Sequence, residues 1–326
     1  MGYAAHSGLG HLIRDFYRHD MLQRILVLPH PNYTNFPEWY PSQIRHTMDD
    51  HEAFLDNIDV LLLFENAFQW QVPKKAHRRG IPIALIPNYE YTPFPPRVHP
   101  DLFICASQLD IDYYSARWPT TFIPIPVNTD KIPWRKREQA LVFVHNAGHG
   151  GHQHRNGTPE LLKALEYVKS PISLIVRAQP EEQRMHTLLS RGCDDKRVRV
   201  ELKELPGEED LWTTGDVYVA PEKYNGMSLP LQEAFAAGML VMTTKRYPMT
   251  TWLPPGPMIP VSGFEKHRMA VTLDRAVIDP RSIAKVIDQW YGTDISAYSI
   301  LGAEWAQNNS WDVLRPKYLQ ALASLL

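Results

Sequence analysis

Short runs of apolar residues that hardly alternate with polar ones constrain this chain most. Residues 24–30 (RILVLPH), 59–66 (DVLLLFEN), 81–88 (IPIALIPN), 101–107 (DLFICAS) and 121–127 (TFIPIPV) are near-continuous hydrophobic stretches. A strand with one wet face alternates; a run that is apolar throughout is buried on both faces, as in a parallel sheet between helices. A second series follows at 140–148 (ALVFVHNAG), 172–178 (ISLIVRA), 197–205 (RVRVELKEL), 216–222 (DVYVAPE) and 239–244 (MLVMTT). Helical patterns lie between the runs, such as 66–80 (NAFQWQVPKKAHRRG), which ends in a basic turn and a glycine. Residues 279–291 and 310–326 read as closing helices. The stretch 123–139 (IPIPVNTDKIPWRKREQ) is proline-rich and then charged, and reads as a linker.

The expected fold is therefore α/β, with two Rossmann-like, doubly wound domains facing a central cleft. The boundaries expected are 1–135 for the first domain, 136–305 for the second, and 306–326 for a terminal helix. The 326 residues are 44% hydrophobic, enough for two cores. A formal charge of −2 argues against a protein held mainly by nucleic-acid phosphates. Cys105 and Cys193 lie far apart without metal spacing, and no apolar stretch approaches the ~20 residues of a membrane span. A soluble cytoplasmic protein is the expectation.

Chemistry concentrates in residues 216–238 (DVYVAPEKYNGMSLPLQEAFAAG), a strand, a glycine-containing loop and a helix. Such a loop and helix start suit a phosphate. Glu233 stands in an apolar run, where a carboxylate is costly unless it binds something. Its two oxygens match a ribose diol. This stretch resembles the nucleotide-sugar signature of GT-B glycosyltransferases similar to glycosyltransferase family 4, roughly P-S-x-x-E-G-F-G-L-P-x-x-E-A-x-A-x-G-x-P-V. Pro221, Gly226, Leu229, Pro230, Glu233, Ala234, Ala236, Gly238 and Val241 match it. The resemblance extends from about Leu102 onward and is weaker before that. It has the flavour of phage-type members.

The resemblance implies transfer of a sugar from a nucleotide-diphosphate sugar, UDP-sugar above all, to an acceptor hydroxyl, with retention and without a bound metal or other cofactor. Glu233 matches the glutamate that binds ribose. Asn225 stands where the family has the motif's first glutamate, near the reacting centre, and Ser228 replaces a glycine. Gly226, Met227 and Ser228 would line the donor. Arg155 stands at the position that looks like the family's phosphate-binding lysine, with Arg177 as a further donor-binding cation. Ser7, Gly8 and Gly10, just before a helix, resemble the first glycine-rich loop under the donor.

Glu65 and Glu90 end first-domain strands and are candidates for the acceptor side, Glu90 as a general base. Such a base also suits inversion, so the stereochemistry stays open. His145, His149, His152 and His154 fall in one glycine-rich stretch; without a nearby Cys or carboxylate they read as extra hydrogen-bond donors, and no metal site is expected. The acceptor is a glycan or small molecule, or, as a second class, a hydroxymethylated base in DNA. Base flipping would call on Trp39, Tyr40 and Trp70. The basic cluster 74–80 reads as a solvated helix end, or as a phosphate contact. Asn225 also admits a GT-B protein that binds nucleotide-sugar without turnover, and the fold admits a sugar-nucleotide epimerase.

Overall fold

The computed structural model describes residues 1–30, 34–65, 69–148, 155–179, 195–202 and 208–326. The chain divides into two compact units: residues 1–126 with 268–272 and 311–326, and residues 127–267 with 273–310.

The first unit contains β1 (Gly2–Tyr3), β2 (Ile25–Leu28) and β3 (Arg45–His46) in a parallel three-stranded sheet of order β1-β2-β3. A parallel four-stranded sheet follows the chain order β4 (Leu61–Phe64), β5 (Ile83–Ile86), β6 (Leu102–Cys105) and β7 (Thr120–Phe122). Met1 N donates to Leu62 O at 3.2 Å, which brings β1 alongside β4. The helices are α1 (Gly8–Arg18), α2 (His51–Leu55), α3 (Gln71–Arg78) and α4 (Gln108–Tyr114). The run at 121–127 yields only β7, because Pro124 and Pro126 have no N–H to give a ladder.

In the second unit, β8 (Val142–Gly148), β9 (Ser173–Ala178), β10 (Val198–Leu202), β11 (Val217–Ala220), β12 (Leu240–Thr244) and β13 (Met258–Ile259) form one six-stranded parallel sheet. Its order is β10-β9-β8-β11-β12-β13, the doubly wound order, which reverses between β8 and β11. The continuous apolar runs now have their physical reason. Phe143, Leu174, Val217 and Leu240 enter one core with Leu161 and Ala164 of α5 (Thr158–Ala164) and Ile283 and Ile287 of α8 (Pro280–Trp290). Their neighbours Val144, Ile175, Tyr218 and Val241 enter the opposite core with Leu231 and Phe235 of α6 (Leu229–Ala236). Every second residue changes face and finds helices there, each large side chain contributing about 1.5–3 kcal/mol. The unit also holds α7 (Met249–Trp252), α9 (Ser296–Asn308) and most of a two-stranded ribbon, β14 (Gly263–Arg268) with β15 (Thr272–Val277).

The last helix, α10 (Trp311–Ala323), belongs to the first unit. Trp311 packs edge-on to Phe16 of α1 at 4.9 Å, and the Tyr318 hydroxyl reaches the carbonyls of Ile123 and Pro124 at 3.2 and 3.1 Å. The supposed linker is partly core. Arg137 is 1% exposed, and its guanidinium donates to the carbonyls of Arg135, Trp212 and Gly215 at 2.9, 2.9 and 3.2 Å. Desolvation there lowers its pKa to about 10. Among the described residues no helix is long and apolar enough to cross a membrane.

Candidate functional site

In a doubly wound sheet, ligands bind outside the carboxyl ends of the strands where the order reverses. In the second unit that point lies after β8 and β11. The chain following β8 re-enters the described structure at Arg155, and the loop following β11 is 221–228. Lys223 N donates to Arg155 O at 2.7 Å. Gly157, at φ +72°, lies so close that a Cβ would sit 2.0 Å from the Pro221 carbonyl oxygen. The geometry requires glycine there on both counts. Arg155 thus stands beside the motif loop.

That loop is held from below by a buried polar cluster. Glu222, Asn225, Ser228 and Arg246 are 6%, 8%, 1% and 3% exposed. Ser228 Oγ donates to Glu222 Oε1 at 2.8 Å, and Asn225 Nδ2 approaches the same oxygen at 3.4 Å. Arg246 Nη2 faces Glu222 Oε2 at 3.6 Å; its Nε and Nη1 reach the carbonyls of Glu222 and Asn225 at 3.2 and 2.9 Å. Thr244 Oγ1 adds a bond to Glu222 O at 2.6 Å. Ser228 is the N-cap of α6, yet its side chain makes no capping bond. Its hydroxyl proton goes to Glu222 instead. Gly226 is buried and Met227 half-buried in the same loop.

Glu233 is half-buried on α6, in its second turn. The Trp212 indole N–H donates to its Oε2 at 3.1 Å. Trp212 is 1% exposed and meets Tyr218 edge-on at 5.2 Å, so the donor is fixed by packing. This anchor, 21 residues upstream of the carboxylate, carries no local sequence signal. Glu222 and Arg246 also escape sequence reasoning. The signal for Glu222 is a charged residue ending a buried strand; Arg246 comes from the end of the next strand. Gln232, beside Glu233, is 1% exposed, and among the described residues neither of its amide atoms has a hydrogen-bond partner.

Arg177, expected as a donor-binding cation, lies on β9 and is 7% exposed; it pairs with Glu201 at 2.9 Å and donates to Leu211 O at 2.5 Å and to the Thr214 hydroxyl. All three guanidinium nitrogens are engaged within the protein. His145 lies in β8, inside the strand run 140–148. Its Nδ1 is 2.8 Å from Val219 O and its Nε2 is 2.8 Å from Thr158 Oγ1. A carbonyl only accepts, so Nδ1 carries the proton and Nε2 accepts from Thr158. Burial lowers the pKa of this ring to about 4. His149, His152 and His154 lie outside the described residues. Among the described residues no group of three His, Cys, Asp or Glu could hold a metal ion.

In the first unit, Gly8 and Gly10 lie inside α1 rather than before it. Ser7 caps that helix by accepting from Gly10 N at 3.1 Å. A Cβ on Gly10 would lie 2.0 Å from Ala5 O, whereas one on Gly8 would meet nothing within 4 Å. Gly10 is therefore a packing glycine and Gly8 an open one. Glu65 ends β4 at φ +55°, half-buried, and its Oε1 accepts from Asn88 Nδ2 at 3.2 Å. Burial and the charge of Glu65 push the Tyr3 phenol up to about 12.

Glu90, the candidate general base, is fully buried, at 0% exposure. Its charge helps to raise Asp110, a 2%-exposed residue whose pKa stands at about 7, chiefly through burial. Tyr40 is 1% exposed, which removes it from any exposed stacking surface. Trp39 stacks on Phe36 at 5.5 Å under the Arg14 guanidinium, and Trp70 carries Lys74 Nζ at 3.7 Å. In the basic cluster, Lys75 and Arg79 are paired with Glu52, and Arg79 also with Asp56 at 2.6 Å, so these charges are compensated.

No protein-family model and no curated protein matches the chain. Solved structures do. A glycosyltransferase from Rickettsia africae ESF-5 aligns with a TM-score of 0.62 at 12% identity, over 96% of this chain and 87% of its own. HepE of Anabaena, in complex with UDP and glucose, gives 0.62 at 13%, over 85% and 80%. Sucrose-phosphate synthase from Thermosynechococcus elongatus gives 0.61 at 15%, over 85% and 76%. The GtfA/B complex gives 0.59 at 14%, and this chain spans 62% of that one. At these identities the likeness is one of fold. The chain has the GT-B fold, with two Rossmann-like units.

Proposed function

We propose that this protein is a glycosyltransferase that moves a sugar from a nucleotide-diphosphate sugar, with UDP-sugar the favoured class, to an acceptor hydroxyl. One observation carries the reading. Glu233, held by Trp212, stands on the helix that follows the switch-point loop 221–228, and the backbone of Arg155 is bonded to that same loop. A carboxylate for a ribose diol and a guanidinium for a diphosphate therefore belong to one end of one sheet. The HepE structures, of the same fold, hold UDP with glucose and UDP-glucose.

In the proposed reaction the C1–O bond to the diphosphate breaks and a C1–O bond to the acceptor forms, while the acceptor hydroxyl's proton passes to the departing diphosphate oxygen. Charge builds up on the departing diphosphate, and Arg155 with the loop amides would stabilise it. The reading takes the donor as metal-independent and the transfer as retaining, in line with the family 4-like signature. Asn225 also supports a second reading, donor binding without turnover.

Thermal-shift binding across a nucleotide-sugar panel, followed by assay of nucleoside diphosphate release, tests this. A ligand present at about 100 times its dissociation constant stabilises the fold by about 2.7 kcal/mol. A clear shift with slow release supports the transferase and directs an acceptor screen, with hydroxymethylated DNA and simple glycans included. A shift with no release, even with acceptors present, supports the non-catalytic binder. No shift with any nucleotide-sugar would refute both.

A further inference from the structure

On the donor-site reading above, we infer that Glu222 is a positioning residue: it locks the Asn225 side chain so that only its oxygen, Oδ1, is offered as an acceptor to a hydroxyl of the donor sugar. A free asparagine amide is ambivalent, able to present either N–H donors or a C=O acceptor. Here the ambivalence is removed. Glu222 Oε1 lies 3.4 Å from Asn225 Nδ2. That is long for a hydrogen bond, but the electrostatics leave no choice of orientation. Turning the amide over would set Oδ1 against a carboxylate oxygen, two acceptors face to face in a buried site. With Nδ2 toward Glu222, Oδ1 is turned away from it.

The carboxylate is itself immobilised. Ser228 Oγ holds Oε1 at 2.8 Å, Arg246 Nη2 faces Oε2 at 3.6 Å, and Thr244 and Arg246 hold the backbone oxygen of Glu222 at 2.6 and 3.2 Å. Arg246 also holds Asn225 O at 2.9 Å, so both ends of the Glu222–Asn225 pair are tied to the same cation. A buried ion pair adds little stability compared with apolar packing. Its consequence here is geometric. Negative charge stands behind the amide and polarises it, so Oδ1 becomes a better acceptor than an isolated amide oxygen. An amide at position 225 can thus present what a carboxylate would, with the charge carried one side chain back.

The test is a double-mutant cycle on the full chain with UDP and UDP-glucose as probes. Glu222→Gln frees the amide, because a glutamine can offer Asn225 either an acceptor or a donor. Combining it with Asn225→Asp moves the charge to position 225, where the amide N–H introduced by Glu222→Gln can donate to it and an oxygen still faces outward. By the strength of hydrogen bonds to charged groups, Glu222→Gln should weaken UDP-glucose about tenfold or more. UDP should change less than about twofold, and the swapped pair should recover UDP-glucose affinity to within about threefold. Asn225→Ala, which leaves the Glu222–Arg246 pair and the Ser228 bond in place, should repeat the selective loss and serves if Glu222→Gln does not fold. The Asn225 side-chain amide protons, followed by NMR without ligand, should shift in Glu222→Gln. An unchanged ratio of UDP-glucose to UDP affinity in Glu222→Gln or Asn225→Ala, or no recovery in the swapped pair, overturns the inference. A wild-type protein that binds neither UDP nor UDP-glucose overturns the reading of this loop as a UDP-sugar site.

Discussion

Acid should destabilise the second unit through His145. The ring sits between β8 and β11, with Nδ1 and Nε2 each 2.8 Å from a partner, and it is 1% exposed. Burial holds its pKa at about 4, against an ordinary 6.5. The folded value is depressed, so this contribution is intact above pH 6.5 and is lost as pH falls through 6.5 towards 4. In that window the unfolded chain takes up a proton that the native ring refuses. The gap, at about 1.36 kcal/mol per pH unit, totals roughly 3.4 kcal/mol, of which about 2 kcal/mol is lost by about pH 5.

His145→Asn keeps a side-chain donor near Val219 O and removes the titration. Urea unfolding at about pH 7 and about pH 5 provides the assay. The fall in stability between the two should be about 2 kcal/mol smaller in the variant than in the wild type. Groups that titrate in both proteins cancel in that comparison. Equal pH dependence in the two proteins, or an imidazole that titrates near its ordinary value by NMR, would refute the reasoning.

Asp110 should act in the opposite direction. Its carboxyl is raised from 3.8 to about 7, first by burial, with the charge of Glu90 adding to it. The native state keeps a proton that the unfolded chain has released, so stability falls as pH rises from about 4 to about 7, by on the order of 4 kcal/mol. Asp110→Asn should lack that fall and be the more stable protein at about pH 8, as measured by urea midpoints. Gln232→Leu should stabilise by about 1–3 kcal/mol, because it replaces two buried amide atoms without partners by an apolar side chain of similar size. A lower melting temperature in that variant would mean that the amide has a role in the native site.

What can be read from the sequence follows from what is local. The runs 140–148, 172–178, 216–222 and 239–244 contain β8, β9, β11 and β12, because a strand buried on both faces is apolar at most positions. Glu233 stands out because a carboxylate in an apolar helix run is conspicuous. Its anchor Trp212 does not, since the contact arises only when two segments far apart in sequence pack together. Arg137 reads as linker charge for the same reason: most of the carbonyls that solvate it are supplied by distant turns. Tyr40 and Arg177 look available because residue type suggests exposure, but packing buries them. The two residues of β3, Arg45–His46, carry no apolar pattern at all, and only the neighbouring strand makes them a strand.

The central claim is that the second unit binds a nucleotide through the carboxylate on α6. Isothermal titration of UDP into the wild-type chain and Glu233→Ala tests it most directly. The account predicts saturable binding to the wild type and a loss of about tenfold or more in the folded variant, because a hydrogen-bonded charge is worth about 1.5–3 kcal/mol. Equal affinity in the two proteins, or no binding to the wild type at millimolar UDP, would contradict it.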